Sequence, residues 1–167
     1  MKTILEKRCS CPPSHAKALV KIMIALRQRR NPHGVFLGKD GLITPRDLLR
    51  WAERGGSSKL ALAQEGYMLL AERLRNDAEK AIVKEEIESH LKVTIDCDDM
   101  YYGKDAEARA MLTKAAVKQK NLGLLLSSVA PTKSLLRLLT LVSRCVQQKE
   151  PVLLVGETGC GKTTVVQ

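Results

Sequence analysis

The sequence predicts a mainly α chain in which a small helical bundle is followed by a connector and by the opening of a mixed α/β domain. Two observations lead to this prediction. Apolar residues recur at helical spacing through most of the 167 residues, and aromatic residues make up only 3%, which predicts an aliphatic core. Near the end, a short apolar run at residues 151–155 leads into a glycine-rich stretch, as a buried strand before a loop does.

Four helices are predicted for residues 1–95. In each of them Leu, Ile, Val, Met and Ala recur at helical intervals, and most of the connections between them are short. Short connections between amphipathic helices favour a compact bundle. The predicted helices cover residues 12–30, 45–54, 58–75 and 77–91, with Asp77 as the N-cap of the last, and a short strand is predicted for residues 92–95.

The second of these helices has the clearest start in the chain. Thr44 is the predicted N-cap, Pro45 suits the first helical position, and Asp47 stands where the acidic partner of a capping box belongs. Gly55 and Gly56 then end the helix. The boundaries of this helix therefore follow from local sequence alone.

The second half of the chain carries weaker signals up to Pro131. Residues 96–99 are predicted to form a turn, residues 105–120 a weakly patterned helix, and residues 121–123 a break. Residues 96–131 are therefore interpreted as a connector between modules. Helical spacing returns after Pro131, in a helix that ends near residue 148 and has Leu135, Leu138, Leu139, Val142, Cys145 and Val146 at its apolar positions.

Residues 156–164 carry the Walker A pattern for binding nucleotide phosphates. Glycines at the first, fourth and sixth positions adopt conformations, and allow a close approach of the backbone, that a Cβ would obstruct. Lys162 would reach the β- and γ-phosphates of ATP, and the Thr163 hydroxyl would bind Mg²⁺. The predicted site comprises Gly156, Glu157, Thr158, Gly159, Cys160, Gly161, Lys162, Thr163 and Thr164.

ATP hydrolysis by proteins of this class needs further residues. A carboxylate on a second strand holds Mg²⁺, and an arginine neutralises the developing charge. Both lie downstream of the loop in known layouts, and only Val165, Val166 and Gln167 follow it here. We therefore expect this chain to be a fragment of a longer ATPase, and to be inactive by itself.

Positive charge is concentrated in the first third of the chain. The net charge is +10, and residues 1–54 carry twelve Lys and Arg against four Asp and Glu. Residues 27–30 (Arg-Gln-Arg-Arg) form either a contact for a polyanion such as RNA or a solvated helix end. The scarcity of aromatic residues argues against sequence-specific recognition of RNA. No apolar run approaches the roughly 20 residues of a membrane span, so no membrane partner is expected.

Two segments together resemble a known family. The helix that leads through Pro-Val-Leu-Leu-Val into Gly-Glu-Thr-Gly-Cys-Gly-Lys-Thr-Thr is similar to the opening of an AAA+ ATPase module. Residues 41–54 (Gly-Leu-Ile-Thr-Pro-Arg-Asp-Leu-Leu-Arg-Trp-Ala-Glu-Arg), with Glu-Gly-Tyr at residues 65–67, are similar to the helical lid that closes a preceding module. The combination resembles the midasin family, dynein-related AAA+ proteins with six modules in one polypeptide. The resemblance is strongest in residues 31–75 and 132–167.

The resemblance implies a division of the chain and a function for the parent protein. Residues 1–95 would be the lid of one module, residues 96–131 a connector, and residues 132–167 the start of the next nucleotide-binding domain. The implied parent hydrolyses ATP, with Mg²⁺, to remodel pre-ribosomal particles of the large subunit and release assembly factors. Its implied location is the nucleus, in both nucleolus and nucleoplasm.

The resemblance also implies a role for one arginine of the lid. Arg46 belongs to a Pro-Arg pair at a helix start, which in related lids acts as sensor 2 and contacts the γ-phosphate of its own module's nucleotide. Arg46 and Lys162 would then serve different nucleotide sites. Arg50 and Arg54 continue the same helix face, and we expect them to be solvated or to face a partner.

Two hypotheses of other kinds stay open. In the first, the chain is a non-catalytic, basic helical adaptor that binds ribosomal RNA or an assembly factor and keeps a vestigial P-loop. In the second, it belongs to another P-loop class such as a kinase or GTPase, which leaves the upstream helical lid unexplained.

Overall fold

The computed structural model describes residues 1–29, 43–55, 58–121 and 130–166. All the regular secondary structure in these ranges is α-helical, so the prediction of a mainly α chain is confirmed. The chain divides into two compact units, Met1–Ile95 and Asp96–Gln167. The glycine-containing loop at residues 31–42 and the predicted break at residues 122–123 lie outside the described residues.

The first unit is a helical bundle with an aliphatic core. Within the described residues its helices are α1 (Lys2–Arg8), α2 (Pro13–Gln28), α3 (Pro45–Arg54), α4 (Lys59–Leu70) and α5 (Asp77–Leu91). Helix α2 packs against three other helices of the unit, and α4 packs against α3 and α5. One helix, α1, was not predicted, because it is short and charged; its Leu5 is fully buried in the unit.

The predicted start of α3 is confirmed. The Thr44 hydroxyl oxygen accepts a hydrogen bond from the Asp47 backbone N–H at 3.2 Å, and the Thr44 N–H donates to Asp47 Oδ2 at 2.8 Å. These two bonds form a capping box, with Pro45 at the first helical position. Gly55 ends the helix at a φ of 59°, a conformation that side chains disfavour.

Helices α3 and α4 meet at a close contact between an indole ring and a glycine. Trp51 is 1% exposed, and its Nε1–H donates to the Leu62 carbonyl at 2.7 Å. A Cβ on Gly66 would lie 2.1 Å from the Trp51 ring. Glycine at position 66 is therefore what allows the ring to lie against α4.

Three boundaries in the first unit differ from the prediction. Helix α4 ends at Leu70 rather than near residue 75, and α5 is capped by Asn76, whose side chain accepts a hydrogen bond from Ala78, rather than by Asp77. Residues 92–95 are not a strand, because Lys92 is left-handed (φ 57°) and the Ile95 N–H donates to a Glu88 carboxylate oxygen at 2.6 Å. A side chain thus takes the backbone donor that a strand would use for pairing.

The second unit is built around α8 (Lys133–Gln147). Helices α6 (Cys97–Tyr102), α7 (Glu107–Asn121) and α9 (Lys162–Val166) all pack against α8. The predicted turn at residues 96–99 was wrong, because the Asp96 side chain accepts a hydrogen bond from the Asp99 N–H and caps a short helix instead.

The buried face of α8 is only partly the predicted one. Leu135 is buried as expected, but Leu136, Thr140 and Ser143 complete the buried face. The Thr140 hydroxyl donates to the Leu136 carbonyl at 2.9 Å, and the Ser143 hydroxyl donates to the Thr140 carbonyl at 2.9 Å. These bonds satisfy both hydroxyls, so burying them carries little cost. The predicted inner residues Leu138, Leu139, Val142 and Cys145 are half-buried, and Val146 is exposed.

Helix α8 ends in a Schellman motif that directs the chain towards residue 151. The Glu150 N–H donates to the Cys145 carbonyl at 2.8 Å, and the Lys149 N–H donates to the Val146 carbonyl at 3.0 Å. Lys149 has a φ of 54°, in the position that usually carries glycine.

Residues 151–155 follow in irregular structure rather than the predicted strand. A strand needs a neighbouring strand to accept and donate its backbone hydrogen bonds, and no described segment supplies one. Leu153, at 88% exposed, and Val155 therefore face solvent.

Candidate functional site

The glycine-rich loop lies between residue 155 and the start of α9. Gly159 and Gly161 have φ angles of 86° and 84°, which side chains adopt only with strain. The Val165 N–H donates to the Gly161 carbonyl at 3.1 Å, so Gly161 stands immediately before the first turn of α9. Lys162 and Thr163 are therefore the first two residues of that helix.

The Lys162 ammonium lies against the inside of the loop. Its Nζ donates to the carbonyl of Gly156 at 2.8 Å and to that of Glu157 at 2.5 Å. It also lies 3.3 Å from Cys160 Sγ. A Cβ on Gly156 would lie 3.1 Å from that sulfur and 4.0 Å from Lys162 Nζ, so glycine leaves room for both groups.

The loop offers backbone donors as well as a cation. No hydrogen bond joins the backbone N–H groups of residues 157–161 to any described residue, and residues 155–160 are exposed. Backbone N–H groups and an ammonium group donate hydrogen bonds to phosphate oxygens when they lie close together. The geometry of the loop therefore fits a polyphosphate ligand.

The Thr163 hydroxyl, directly after Lys162, is at the position from which a metal ion would be bound. Thr163 and Thr164 are exposed in the first turn of α9. Within the described ranges, no three His, Cys, Asp or Glu side chains come together as a metal site. A divalent ion here would be bound through Thr163 and the oxygens of a phosphate ligand, which is how Mg²⁺ commonly binds.

Sequence analysis missed one contact of the loop. A Cβ on Gly161 would lie 3.2 Å from Leu135 Cδ1, which comes from the first turn of α8. Leu135 was predicted only as a core residue of its helix. Nothing in the spacing of the two residues along the chain indicates that they meet.

Arg46 is exposed at the second position of α3, next to the capping box. Among the described residues it has no ion-pair partner. Arg46 belongs to the first unit and Lys162 to the second. The structure thus fixes the backbone of Arg46 through its neighbours and leaves its guanidinium in solvent.

Asp47 anchors this start of α3. Burial raises the pKa of its carboxyl, but hydrogen bonds from the Thr44 backbone and hydroxyl, together with the charge of Arg73 at 3.3 Å, outweigh burial and hold the pKa below its ordinary value. Asp47 is therefore ionised at neutral pH, and in that form it accepts the capping bonds.

The expectation for Arg54 was wrong. Its side chain is 5% exposed and pairs with Glu65 at 3.6 Å, because the end of α3 packs against α4. Arg50, one turn earlier, is half-buried. Of these three arginines of α3, Arg46 is the exposed one.

The basic stretch at residues 27–30 makes contacts within the first unit. The Arg27 guanidinium donates to the Ile43 carbonyl at 3.2 Å and 3.3 Å. Arg29 pairs with Glu86 of α5 at 2.5 Å. Arg30 lies outside the described residues. The two described arginines thus bind protein groups, as cations at a packed helix end do.

No helix within the described ranges is long and apolar enough to cross a membrane.

Two family models match this chain, one in each unit. The model of the midasin AAA lid domain family matches residues 1–94, and that of the P-loop containing dynein motor region matches residues 124–167. Midasin from Dictyostelium discoideum is 47% identical over 171 residues, which cover 100% of this chain and 3% of that protein. Midasin from Giardia intestinalis is 31% identical over 182 residues, which cover 100% of this chain and 4% of that protein. The chain therefore spans only a small part of the relatives that it matches.

Proposed function

Because the chain belongs to the midasin family, we propose that residues 156–164 bind the phosphates of ATP. One observation carries this proposal: the Lys162 ammonium lies inside a loop whose backbone N–H groups at residues 157–161 bond to no described residue. Both donor types suit phosphate oxygens, and the bonds that Lys162 now makes to two carbonyls can be exchanged for stronger bonds to an anion. The match of the P-loop motor model to residues 124–167 supports nucleotide as the ligand.

We further propose that Mg²⁺ accompanies the nucleotide. Bound Mg²⁺ would neutralise charge on the phosphates, and Thr163 is the residue that would hold it. The remaining residues of the loop act on the phosphates: the backbone N–H groups of residues 157–161 orient them, and Lys162 binds them electrostatically.

For the protein that carries this segment, we propose an AAA+ ATPase that remodels precursors of the large ribosomal subunit in the nucleus. Family membership and the resemblance described above support this role. Assembly factors and pre-ribosomal particles would be its partners. In this proposal the lid contributes Arg46 as sensor 2 to a nucleotide site other than that of Lys162, which agrees with its exposure at the start of α3.

The alternative of a basic RNA-binding adaptor has less support. It was based on the positive charge of residues 1–54, especially at residues 27–30, and there Arg27 and Arg29 bind groups of the same unit. The exposed Lys17 and Lys21 of α2 are the residues through which an RNA contact by the basic N-terminal third would now be tested.

Replacing Lys162 tests the ATP site directly. We expect Lys162→Ala to weaken binding of a fluorescent ATP analogue by roughly a hundredfold, because it removes a charge-assisted bond to phosphate. Fluorescence anisotropy with Mg²⁺ present measures the dissociation constant.

Two variants serve as controls for this measurement. Lys17→Ala removes an exposed lysine of α2 in the first unit, and it should leave affinity unchanged. Arg46→Ala should also leave it unchanged, because Arg46 is assigned to another nucleotide. Equal affinities of the unsubstituted 167-residue chain and of Lys162→Ala would contradict the proposal.

A further inference from the structure

Leu135 occupies a fixed position in the first turn of α8. Its backbone N–H donates to the hydroxyl of the N-cap Thr132 at 3.3 Å, which satisfies a donor that the helix itself cannot pair. Its side chain is 6% exposed. Both its backbone and its side chain are therefore restrained by the unit.

Other helices of the second unit hold α8 at both of its ends. Lys133, two residues earlier, lies 3.8 Å from Asp98 and 5.1 Å from the centre of the Tyr102 ring, both on α6. At the other end of α8, Arg144 and Gln147 both bind Glu107 of α7, at 3.1 Å and 2.5 Å. These contacts make α8 a support whose position does not depend on the glycine-rich loop.

The Leu135 side chain connects α8 to the glycine-rich loop by contacting Gly161. A Cβ built on Gly161 would lie 3.2 Å from Leu135 Cδ1, which is tighter than an ordinary van der Waals contact. The methyl group thus covers the Cα of the residue that precedes Lys162. By contrast, residues 155–160 on the other side of Gly161 are exposed.

We propose that Leu135 is a positioning residue for the nucleotide site: it sets the place of Gly161, and through Gly161 the direction of the Lys162 and Thr163 side chains. The proposal rests on the ATP site proposed above. It also gives glycine at position 161 a second reason besides its positive φ, since a Cβ there would require the Leu135 side chain to shift by a few tenths of an ångström.

The experiment compares Leu135→Ala with Leu138→Ala in the 167-residue chain. Both remove the same atoms from the same helix, but Leu138 is half-buried and lies one turn further along α8. The probes are a fluorescent ATP analogue with Mg²⁺, and the backbone amide resonances of Gly159, Gly161 and Lys162 recorded by NMR without nucleotide. Leu135→Met, which keeps the volume, is the second variant in case Leu135→Ala loses its helical circular dichroism.

We expect Leu135→Ala to raise the dissociation constant roughly tenfold, as a displaced binding group does. It should also move the three amide resonances, and Leu135→Met should move them less. Leu138→Ala should change neither. Equal amide shifts in the Leu135 and Leu138 variants would overturn the proposal, and so would shifted resonances with unchanged affinity. If the parent chain bound no nucleotide, the ATP site would be refuted, while the amide comparison would still decide whether Leu135 positions the loop.

Discussion

The contacts around Arg46 and those around Lys162 differ in kind. Arg46 projects from the start of α3, where the capping box fixes the backbone. The rest of α3 is fixed by the Trp51 hydrogen bond and by the Arg54–Glu65 pair. Lys162 is the first residue of α9, and its ammonium binds two carbonyls of the preceding loop, whose backbone N–H groups at residues 157–161 bond to no described residue. The lid is therefore organised before any ligand arrives, whereas the loop leaves its strongest bonding groups for one.

The largest change in stability is expected at the Trp51–Gly66 contact, which tests whether the lid is closely packed without a ligand. Gly66→Ala should lower the free energy of unfolding of the first unit by about 3 kcal/mol, because the new Cβ overlaps the ring. Urea unfolding followed by the fluorescence of Trp51, the single Trp of the sequence, measures it.

The same substitution in a Trp51→Leu background is the matched control, and because this background has no tryptophan its urea unfolding is followed by helical circular dichroism. Without the ring, alanine is the better helix former by about 1 kcal/mol, and Gly66→Ala should become neutral or stabilising. Stabilisation by Gly66→Ala in the parent chain would show that the lid is not closely packed here.

The capping box gives the next largest effect and adds a dependence on pH. Asp47→Asn should cost about 1 kcal/mol at pH 7, since it removes the charged acceptor of the Thr44 bonds and the partner of Arg73. The folded pKa of Asp47 is lowered, so its contribution is present above the ordinary carboxyl pKa and is lost as pH falls through the folded value.

Urea unfolding of both chains at a series of pH values checks this prediction. The difference in unfolding free energy between the parent and Asp47→Asn should shrink on acidification below about pH 4. A difference that stays constant down to pH 2 would mean that another group stabilises the start of α3.

Two left-handed lysines allow one substitution to be compared in both units. Lys92→Gly after α5 and Lys149→Gly after α8 should each stabilise its unit by about 0.5 to 1 kcal/mol, because glycine adopts these φ angles without strain. Trp51 fluorescence reports the first unit, and amide hydrogen exchange in α8 reports the second. Ala81→Gly, at an exposed position inside α5, should instead destabilise by about 1 kcal/mol. A loss of stability at Lys149 alone would show that its side chain has a role in the second unit.

Local signals in the sequence predicted the structure well, and signals that depend on neighbours did not. Thr44, Pro45 and Asp47 specify the start of α3 within four residues, so the capping box was predicted with its bonds. The buried face of α8 depends on which helices cover it, and the buried Thr140 and Ser143 carry no apolar signal. The strand expected at residues 151–155 failed for a related reason, since a strand is defined by a partner.

The candidate site divides in the same way. The Walker A pattern specified Lys162, Thr163 and the glycines by their spacing, because the chemistry of a phosphate loop lies in consecutive residues. The contact of Leu135 with Gly161 joins residues far apart in sequence, and only the folded unit brings them together. The pairing of Arg54 with Glu65 likewise depends on the packing of α3 against α4. The sequence of α3 alone does not contain this packing, so the expectation of a solvated Arg54 was wrong.

The hydrogen bond from the Ile95 N–H to Glu88 also has a practical meaning. Ile95 is fully buried, and Glu88 ties its backbone to α5, so the chain remains part of the first unit up to this residue. Separate expression of the lid should therefore keep residue 95 and cut after it. A cut at residue 91, where the last helix ends, would remove a core side chain and leave the Glu88 carboxylate without this donor.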